Sequence, residues 1–472
     1  MTTTEPAFVR LSDSPIWDVQ RAYFEQQGPR AWASGTVPHY VTCNPVMGRA
    51  FAEVLAGFAS DCARARPVAA AEPRTLHIVE LGAGSGRLGW NIVRALRAAV
   101  DAKAQGWRFV YVLTDISEET IAWWQTHPQL APLIAAGLVD VARFDATCDR
   151  AITLRASGRI VDPERPADEL VVVANYVFDG LPTDVFEAVG GELYECLVAT
   201  SAAASPAGRG FGELELAWRA RPAPRRSYDD AIQQRILEEH AAVDGVFPFP
   251  TAALSALDRL RALTRGPLLV LSADKGTTRL DELAAAGPPS FATHGSLSMQ
   301  VNFAALGAWA LAHGGSWFHN EHHHGSLEVC AMVLGTQPRA ATIAGFERAI
   351  AQRGPDDFYA LKRLLVARAA ELTCHELLAY LRLSGYDAKL FLDCAPALRT
   401  HARSAHGEEQ HDYVLALARV LDGYLSIGEG DAVAELVTEL AALVGIRQAA
   451  PAFDDEDPFD VATGRAAGMS AA

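Results

Sequence analysis

The chain has 472 residues, of which 50% are hydrophobic, 8% aromatic and 21% charged. That is enough for sizeable cores and about three domains at roughly 150 residues each, and it excludes global disorder and collagen-like repetition. The balance of 41 Lys+Arg against 57 Asp+Glu gives −16. Such a charge repels phosphate backbones and anionic lipid surfaces, leaving nucleic acid only a weak basic patch at Arg221, Arg225 and Arg226.

Seven cysteines, Cys43, Cys62, Cys148, Cys196, Cys330, Cys374 and Cys394, are scattered and form no CxxC pair. This argues against a disulfide framework or a thiolate zinc site and for a reducing compartment. The opening MTTTEPAFVRLSDSP has no basic region followed by an apolar core, and no apolar run approaches the roughly 18 residues of a membrane helix. A soluble cytoplasmic protein is expected.

Residues 1–73 read as helices interrupted by the loop ASGTVPHYVTCNP (33–45), where Gly35, Pro38 and Pro45 break the helical pattern. Beyond residue 74, short β-branched runs alternate with helical stretches: LHIVEL (76–81), RFVYVLTD (108–115), LVDVARFD (138–145), ELVVVAN (169–175) and GPLLVLSAD (266–274). Continuously apolar strands between helices predict a doubly wound α/β fold. GGSWFHNEH (314–322) and SLEVCAMVLG (326–335) read as an antiparallel hairpin completing a mostly parallel seven-stranded sheet.

The core is expected over 74–340, with an inserted cap at about 180–265. Helix-period segments such as FYALKRLLVARAAEL and DAVAELVTELAALVGI predict a helical domain over 341–450. An acidic tail rich in small residues, 451–472, reads as disordered.

The chemistry concentrates in Val79-Glu80-Leu81-Gly82-Ala83-Gly84-Ser85-Gly86-Arg87-Leu88-Gly89, a strand running into a glycine-rich turn that opens a helix. Gly82, Gly84 and Gly86 allow a tight turn and close approach of a nucleotide ligand. Gly84-x-Gly86-x-x-Gly89 also matches the dinucleotide pattern GxGxxG, which keeps an NAD(P)-dependent dehydrogenase open.

Glu80 separates the two readings. An acidic residue two before the first glycine fits the methyltransferase pattern (E/D)xGxGxG, where a carboxylate serves the cationic methionine end of S-adenosylmethionine and would repel a pyrophosphate. Asp115, before Ile116 at the second strand tip, is placed to accept ribose hydroxyls. Asp145, before Ala146 at the third, is placed to accept an adenine amino group, or else to cap a helix.

Together with Asn175-Tyr176-Val177-Phe178-Asp179-Gly180-Leu181-Pro182, these residues resemble class I S-adenosylmethionine-dependent methyltransferases. More narrowly, Ala174 to Pro182 resembles the ANExFDxLP stretch of the MidA-like family, which includes the mitochondrial complex I assembly arginine methyltransferase. Val37-Pro38-His39-Tyr40-Val41-Thr42 falls where that family has a substrate-facing loop, and Thr293-His294-Gly295-Ser296 to Phe303 where it has DxTxxVDF. Tyr176 replaces the family's Glu and Asn302 its Asp, so the resemblance implies the cofactor site more strongly than a guanidinium acceptor. The C-terminal helices resemble the degenerate tetratricopeptide-type helices of a bacterial subgroup.

Methyl transfer needs a nucleophile aligned with an activated methyl group and, for some nucleophiles, a base. The candidate catalytic residues are His39, His294, Asp179 and Asn175, with Asn175 also placed to touch the cofactor. His39 reads alternatively as a structural loop residue, Asp179 as a helix cap and Asn175 as a turn residue. His319, Glu321, His322, His323 and His324 invite a metal, but adjacent strand positions alternate faces, so a solvated hairpin tip is the better reading. Trp123 and Trp124 read as an adenine wall or as helix packing.

The expected activity is methyl transfer from S-adenosylmethionine to a protein or peptide acceptor. The alternatives are a small-molecule acceptor and a cofactor-binding scaffold without catalysis. No nucleic acid, membrane or metal is expected, and the C-terminal helices offer a surface for a protein partner or self-association.

Overall fold

The computed structural model describes residues 7–33, 40–65, 74–103, 107–200, 216–287, 291–293, 296–321, 327–335, 339–427 and 431–445. The chain divides into two compact units, Met1–Cys43 with Met47–Asp356 and Asn44–Val46 with Asp357–Ala472. Helix Ala340–Phe346 therefore lies in the first unit, later than the expected boundary at 340/341 would place it.

The first unit is built on β1 (Arg74–Leu81), β2 (Trp107–Asp115), β3 (Val139–Arg143) and β4 (Leu170–Asn175). Four antiparallel strands follow: β5 (Asp184–Val189), β6 (Glu192–Thr200), β7 (Leu216–Pro222) and β8 (Gly245–Phe249). The main sheet then resumes with β9 (Leu268–Asp274), β10 (Ser316–Phe318) and β11 (Glu328–Leu334). Its seven strands lie in the order β10-β11-β9-β4-β1-β2-β3. Every pairing from β9 to β3 is parallel, while β11 runs antiparallel to both β9 and β10.

β-Branched and aliphatic residues make the strands buried on both faces: Leu170 to Ala174 and Leu268 to Leu271 are each at most 1% exposed. In chain order its longer helices are α1 (Ile16–Gln27), α2 (Pro45–Ala65), α3 (Arg87–Lys103), α4 (Glu118–Thr126), α5 (Ala231–His240), α6 (Thr251–Arg261) and α7 (Phe303–Ala312). Leu254, Leu257, Phe303, Leu306 and Trp309 from α6 and α7 share one core with Val79, Val112, Val172 and Val270. At the start of α7, the Asn302 Oδ1 accepts the Ala305 N–H at 3.0 Å, an N-cap.

The inserted stretch folds into its own antiparallel sheet, ordered β8-β5-β6-β7. Helix α6 contributes Leu254, Leu257 and Leu260 to the main core. It is thus a crossover element of the main fold, although it falls inside the span 180–265 read as the cap.

The second unit is helical. Pro355–Arg368, Cys374–Leu383, Ala388–Asp393, Ala395–Ala402, Glu408–Gly423 and Ala432–Leu443 supply a core of Leu377, Leu381, Phe391, Leu398, Leu417 and Leu440. Its helix starts are written in the sequence: Thr373 and Glu376 form a capping box, and Asp387 and Asp431 cap the helices after them. Among the described residues, no helix is long and apolar enough to cross a membrane.

Candidate active site

The strand order reverses at β1: β2 lies on one side and β4 on the other. A doubly wound sheet opens a crevice at such a point, outside the carboxyl ends of its strands. Here that crevice is a cavity of about 540 Å³, within the roughly 300–1,000 Å³ range of ligand pockets.

Eight of the expected cofactor residues line it: Glu80, Gly82, Ala83, Asp115, Ile116, Asp145, Ala146 and Asn175. Gly84 and Gly86 shape the turn without lining the cavity. Both adopt left-handed backbone, with φ of +53° and +69°, as does Gly82 at +54°. A Cβ on Gly84 would lie 2.5 Å from the Trp32 ring, so the turn is closed on that side by an indole that itself stacks on Phe24. From the other side, the buried Trp124 donates its ring N–H to the Gly84 carbonyl at 3.2 Å. Trp124 therefore packs as core under the turn, and neither it nor Trp123 lines the cavity.

Each acidic strand tip has distinct surroundings. Glu80 is 2% exposed, accepts the Tyr111 hydroxyl at 2.9 Å, and is pushed up to about 8 by burial. Its Oε2 would lie 2.7 Å from a Cβ on Gly89, so the third glycine of the GxGxxG pattern serves close packing against this carboxyl. Asp115 accepts the Gly84 N–H at 3.3 Å and the Ser117 N–H at 2.9 Å, and burial pushes it up to about 6. Asp145 goes the other way. Its partners, Arg21 from α1 (Ile16–Gln27) and Thr147 at 2.6 Å, hold it down to about 2 despite burial. Asp145 Oδ1 also accepts the Thr147 N–H at 2.9 Å, so the capping role considered for it exists as a local turn.

These groups fit S-adenosylmethionine. The positive-φ glycines form a cradle, Glu80 and Asp115 are buried carboxyls that a cation or hydroxyl donors would charge, and Asn175 Oδ1 is buried with no hydrogen-bond partner among the described residues. The Asn175 amide nitrogen lies 3.9 Å from Cys43 Sγ. Burial, first of all, pushes the Cys43 thiol up to about 12, so it is inert as a nucleophile.

Asp179 lines the cavity but does not cap a helix: it lies beside Asp274, the last residue of β9, whose Oδ2 accepts the Asp179 N–H at 3.1 Å. His39 and His294 lie outside the described residues, as do His322, His323 and His324. His319 packs against Trp317 with tilted rings, their centroids 4.4 Å apart. Asn302 is buried, and its amide nitrogen lies 3.0 Å from both the Pro248 carbonyl and His240 Nε2.

The wall above the glycine turn escaped the sequence reading. Trp17, Gln20, Arg21 and Phe24 of α1, with Trp32, line the cavity. Gln20 ties the helix in place, donating to the Gly180 carbonyl at 2.8 Å and accepting the Leu297 N–H at 2.7 Å. Their i, i+3, i+4 and i+7 spacing puts them on one helix face, a signal that exists but reads as ordinary core packing. Tyr176, just past β4, has φ +52°, a strained conformation for a bulky residue and one that clusters at functional sites.

Residues 64–276 match a family described as "Putative S-adenosyl-L-methionine-dependent methyltransferase". No curated protein matches the chain in sequence. Among solved structures, an uncharacterized protein from Burkholderia thailandensis aligns at 15% identity, covering 74% of this chain and 91% of its own, with a TM-score of 0.45. A Burkholderia thailandensis structure bound to S-adenosyl-homocysteine aligns at 16% identity over 71% and 92% of the two chains, with a TM-score of 0.44. The CurJ carbon methyltransferase aligns at 11% identity over 57% and 50%, with a TM-score of 0.26. The family match spans the glycine turn and all three acidic strand tips, and it defines the class: an S-adenosylmethionine-dependent methyltransferase. Its cofactor is S-adenosylmethionine.

Proposed function

We propose that the chain methylates a protein or peptide acceptor, with Glu80 serving the methionine end of the cofactor, Asp115 the ribose hydroxyls and Asp145 with Ala146 the adenine. The observation that carries this reading is the convergence of three acidic strand tips and Asn175 on one cavity beside a left-handed glycine turn. When bound, S-adenosylmethionine supplies an activated, electrophilic methyl group.

The chain's own residues then have three tasks. The glycine turn and acidic tips orient the cofactor, and orientation alone contributes several kcal/mol to such reactions. Trp17, Phe24 and Trp32 exclude water from above. Asn175 Oδ1 receives a hydrogen bond from the acceptor, and a base takes its proton. Of the candidates His39, His294 and Asp179, the last is on the described cavity wall.

The cavity volume, about that of one drug-sized ligand, supports an acceptor that inserts a single side chain rather than a second bulky molecule. The seven free thiols support a cytoplasmic location. The helical second unit is the proposed surface for a protein partner or for self-association. Incubation with tritiated cofactor and fractionated lysate tests the acceptor: label in protein is expected, and label confined to small molecules would overturn it.

A further inference from the structure

The base can be taken further, on the footing of the methyl-transfer reading above. Asp274 ends β9 fully buried, and its Oδ2 accepts the Asp179 N–H at 3.1 Å while its Oδ1 accepts the Lys275 N–H at 2.9 Å. The two side chains lie against each other, and Asp179 lines the cavity. We propose that Asp179 and Asp274 share one proton and act as a dyad, Asp179 being the general base for an acceptor that carries N–H or O–H at its reacting atom.

Two adjacent carboxylates cannot both stay charged in a buried site. Burial pushes both upward, Asp179 to about 7 and Asp274 well beyond it, the latter further raised by its neighbour's charge. Near neutrality the pair therefore holds one proton, on Asp274, and Asp179 is the member that gains or loses the next. The other charged groups lining the same cavity are Asp13, Asp18 and Arg21, Glu80, Asp115 and Asp145 at the strand tips, and Lys275 just after β9; the field of Lys275 favours the Asp179 carboxylate.

The acceptor class follows from Asn175. Its amide nitrogen is directed at Cys43 Sγ, leaving Oδ1 as a buried acceptor that needs a donor. An amine, amide, guanidine or hydroxyl supplies one, whereas a carbon nucleophile or thiolate does not. In the step itself the acceptor's lone pair forms the bond to the methyl carbon, the methyl–sulfur bond breaks with its electron pair left on sulfur, and the acceptor's proton passes to the Asp179 carboxylate. The proton then leaves to water.

Carboxyl NMR of protein labelled with ¹³C at aspartate side chains tests the dyad without any acceptor. Wild type should show a carboxyl titrating near pH 7 that disappears in Asp179→Asn. In Asp274→Asn that titration should move to higher pH, because the neutral Asp274 carboxyl that donates to the Asp179 carboxylate is replaced by a weaker amide donor. No aspartate titrating near neutrality, or an unchanged titration in Asp274→Asn, would overturn the proposal.

Calorimetry with S-adenosylhomocysteine separates the two readings: a wild type that fails to bind refutes the cofactor site, whatever the carboxyl titration shows. With labelled acceptor in hand, Asp179→Asn should lose about 10²–10⁴-fold in transfer rate. The Asp274→Asn pH–rate profile should shift to higher pH, which a merely structural role would not produce. A product methylated at carbon or sulfur would overturn the acceptor class.

Discussion

Alanine at Gly84 should disturb the site in a way that can be divided into two parts. The residue has φ +53°, which costs a non-glycine residue about 1–2 kcal/mol. The new Cβ would also lie 2.5 Å from Trp32 Cζ2 and 2.6 Å from Cε2, closer than real carbon contacts, so the indole and the Phe24 ring stacked on it must move. Overpacking of that kind costs about 1–3 kcal/mol. The sum, about 2–5 kcal/mol, is a large fraction of a typical domain stability of about 5–15 kcal/mol. At about 2–4 °C per kcal/mol, melting of the first unit should fall by at least about 4 °C.

Thermal unfolding of Gly84→Ala, Trp32→Ala and the double variant measures both parts. With the indole gone, Gly84→Ala should cost only the conformational share, so the cycle should return a coupling of about 1–3 kcal/mol. A single-variant cost below about 0.5 kcal/mol, or an equal cost in both backgrounds, would refute the placement of Trp32 against the turn.

Two further outcomes follow from the same surroundings. Asp145 is held down to about 2 by Arg21 and Thr147, so its pairing stabilises the fold fully above the ordinary carboxylate range of about 4 and loses that contribution as pH falls towards 2. Arg21→Ala should flatten this acid limb of melting temperature against pH, and an unchanged slope would count against the pair. Asn302→Asp restores the residue found in the resembling family, yet it removes the amide hydrogens facing the Pro248 carbonyl and His240 Nε2. Urea unfolding should show a loss of about 1–3 kcal/mol, and a neutral result would mean those contacts do not form.

Much of the main fold was legible because the parallel strands, buried on both faces, announce themselves as uninterrupted apolar runs. Glu80, Asp115 and Asp145 were legible because an acidic residue after such a run sits at a strand tip. Asp274, after LLVLSA, carried the same signal and was overlooked, since its neighbour Asp179 is nearly a hundred residues away in sequence and only the β4–β9 pairing joins them. The α1 face was hidden for a different reason. Trp17, Gln20, Arg21 and Phe24 have the spacing of any amphipathic helix, and nothing local tells such a helix whether it covers a core or a cavity. The left-handed Tyr176 was also out of reach, because a bulky residue there is set by the tertiary surroundings against its own preference. Asn302 read as standing in place of the aspartate of the DxTxxVDF stretch, and the structure uses it to cap a helix and bridge to Pro248 and His240.

The central claim is that the cavity between the glycine turn and the acidic strand tips holds S-adenosylmethionine. Isothermal titration of the full-length protein with S-adenosylhomocysteine tests it most directly. Wild type should bind with one site per chain, and Gly84→Arg, whose side chain must enter the space filled by Trp32, should abolish the heat while leaving the melting transition of the helical second unit in place. Absence of binding by a folded wild type, or undiminished binding by Gly84→Arg, would contradict the account.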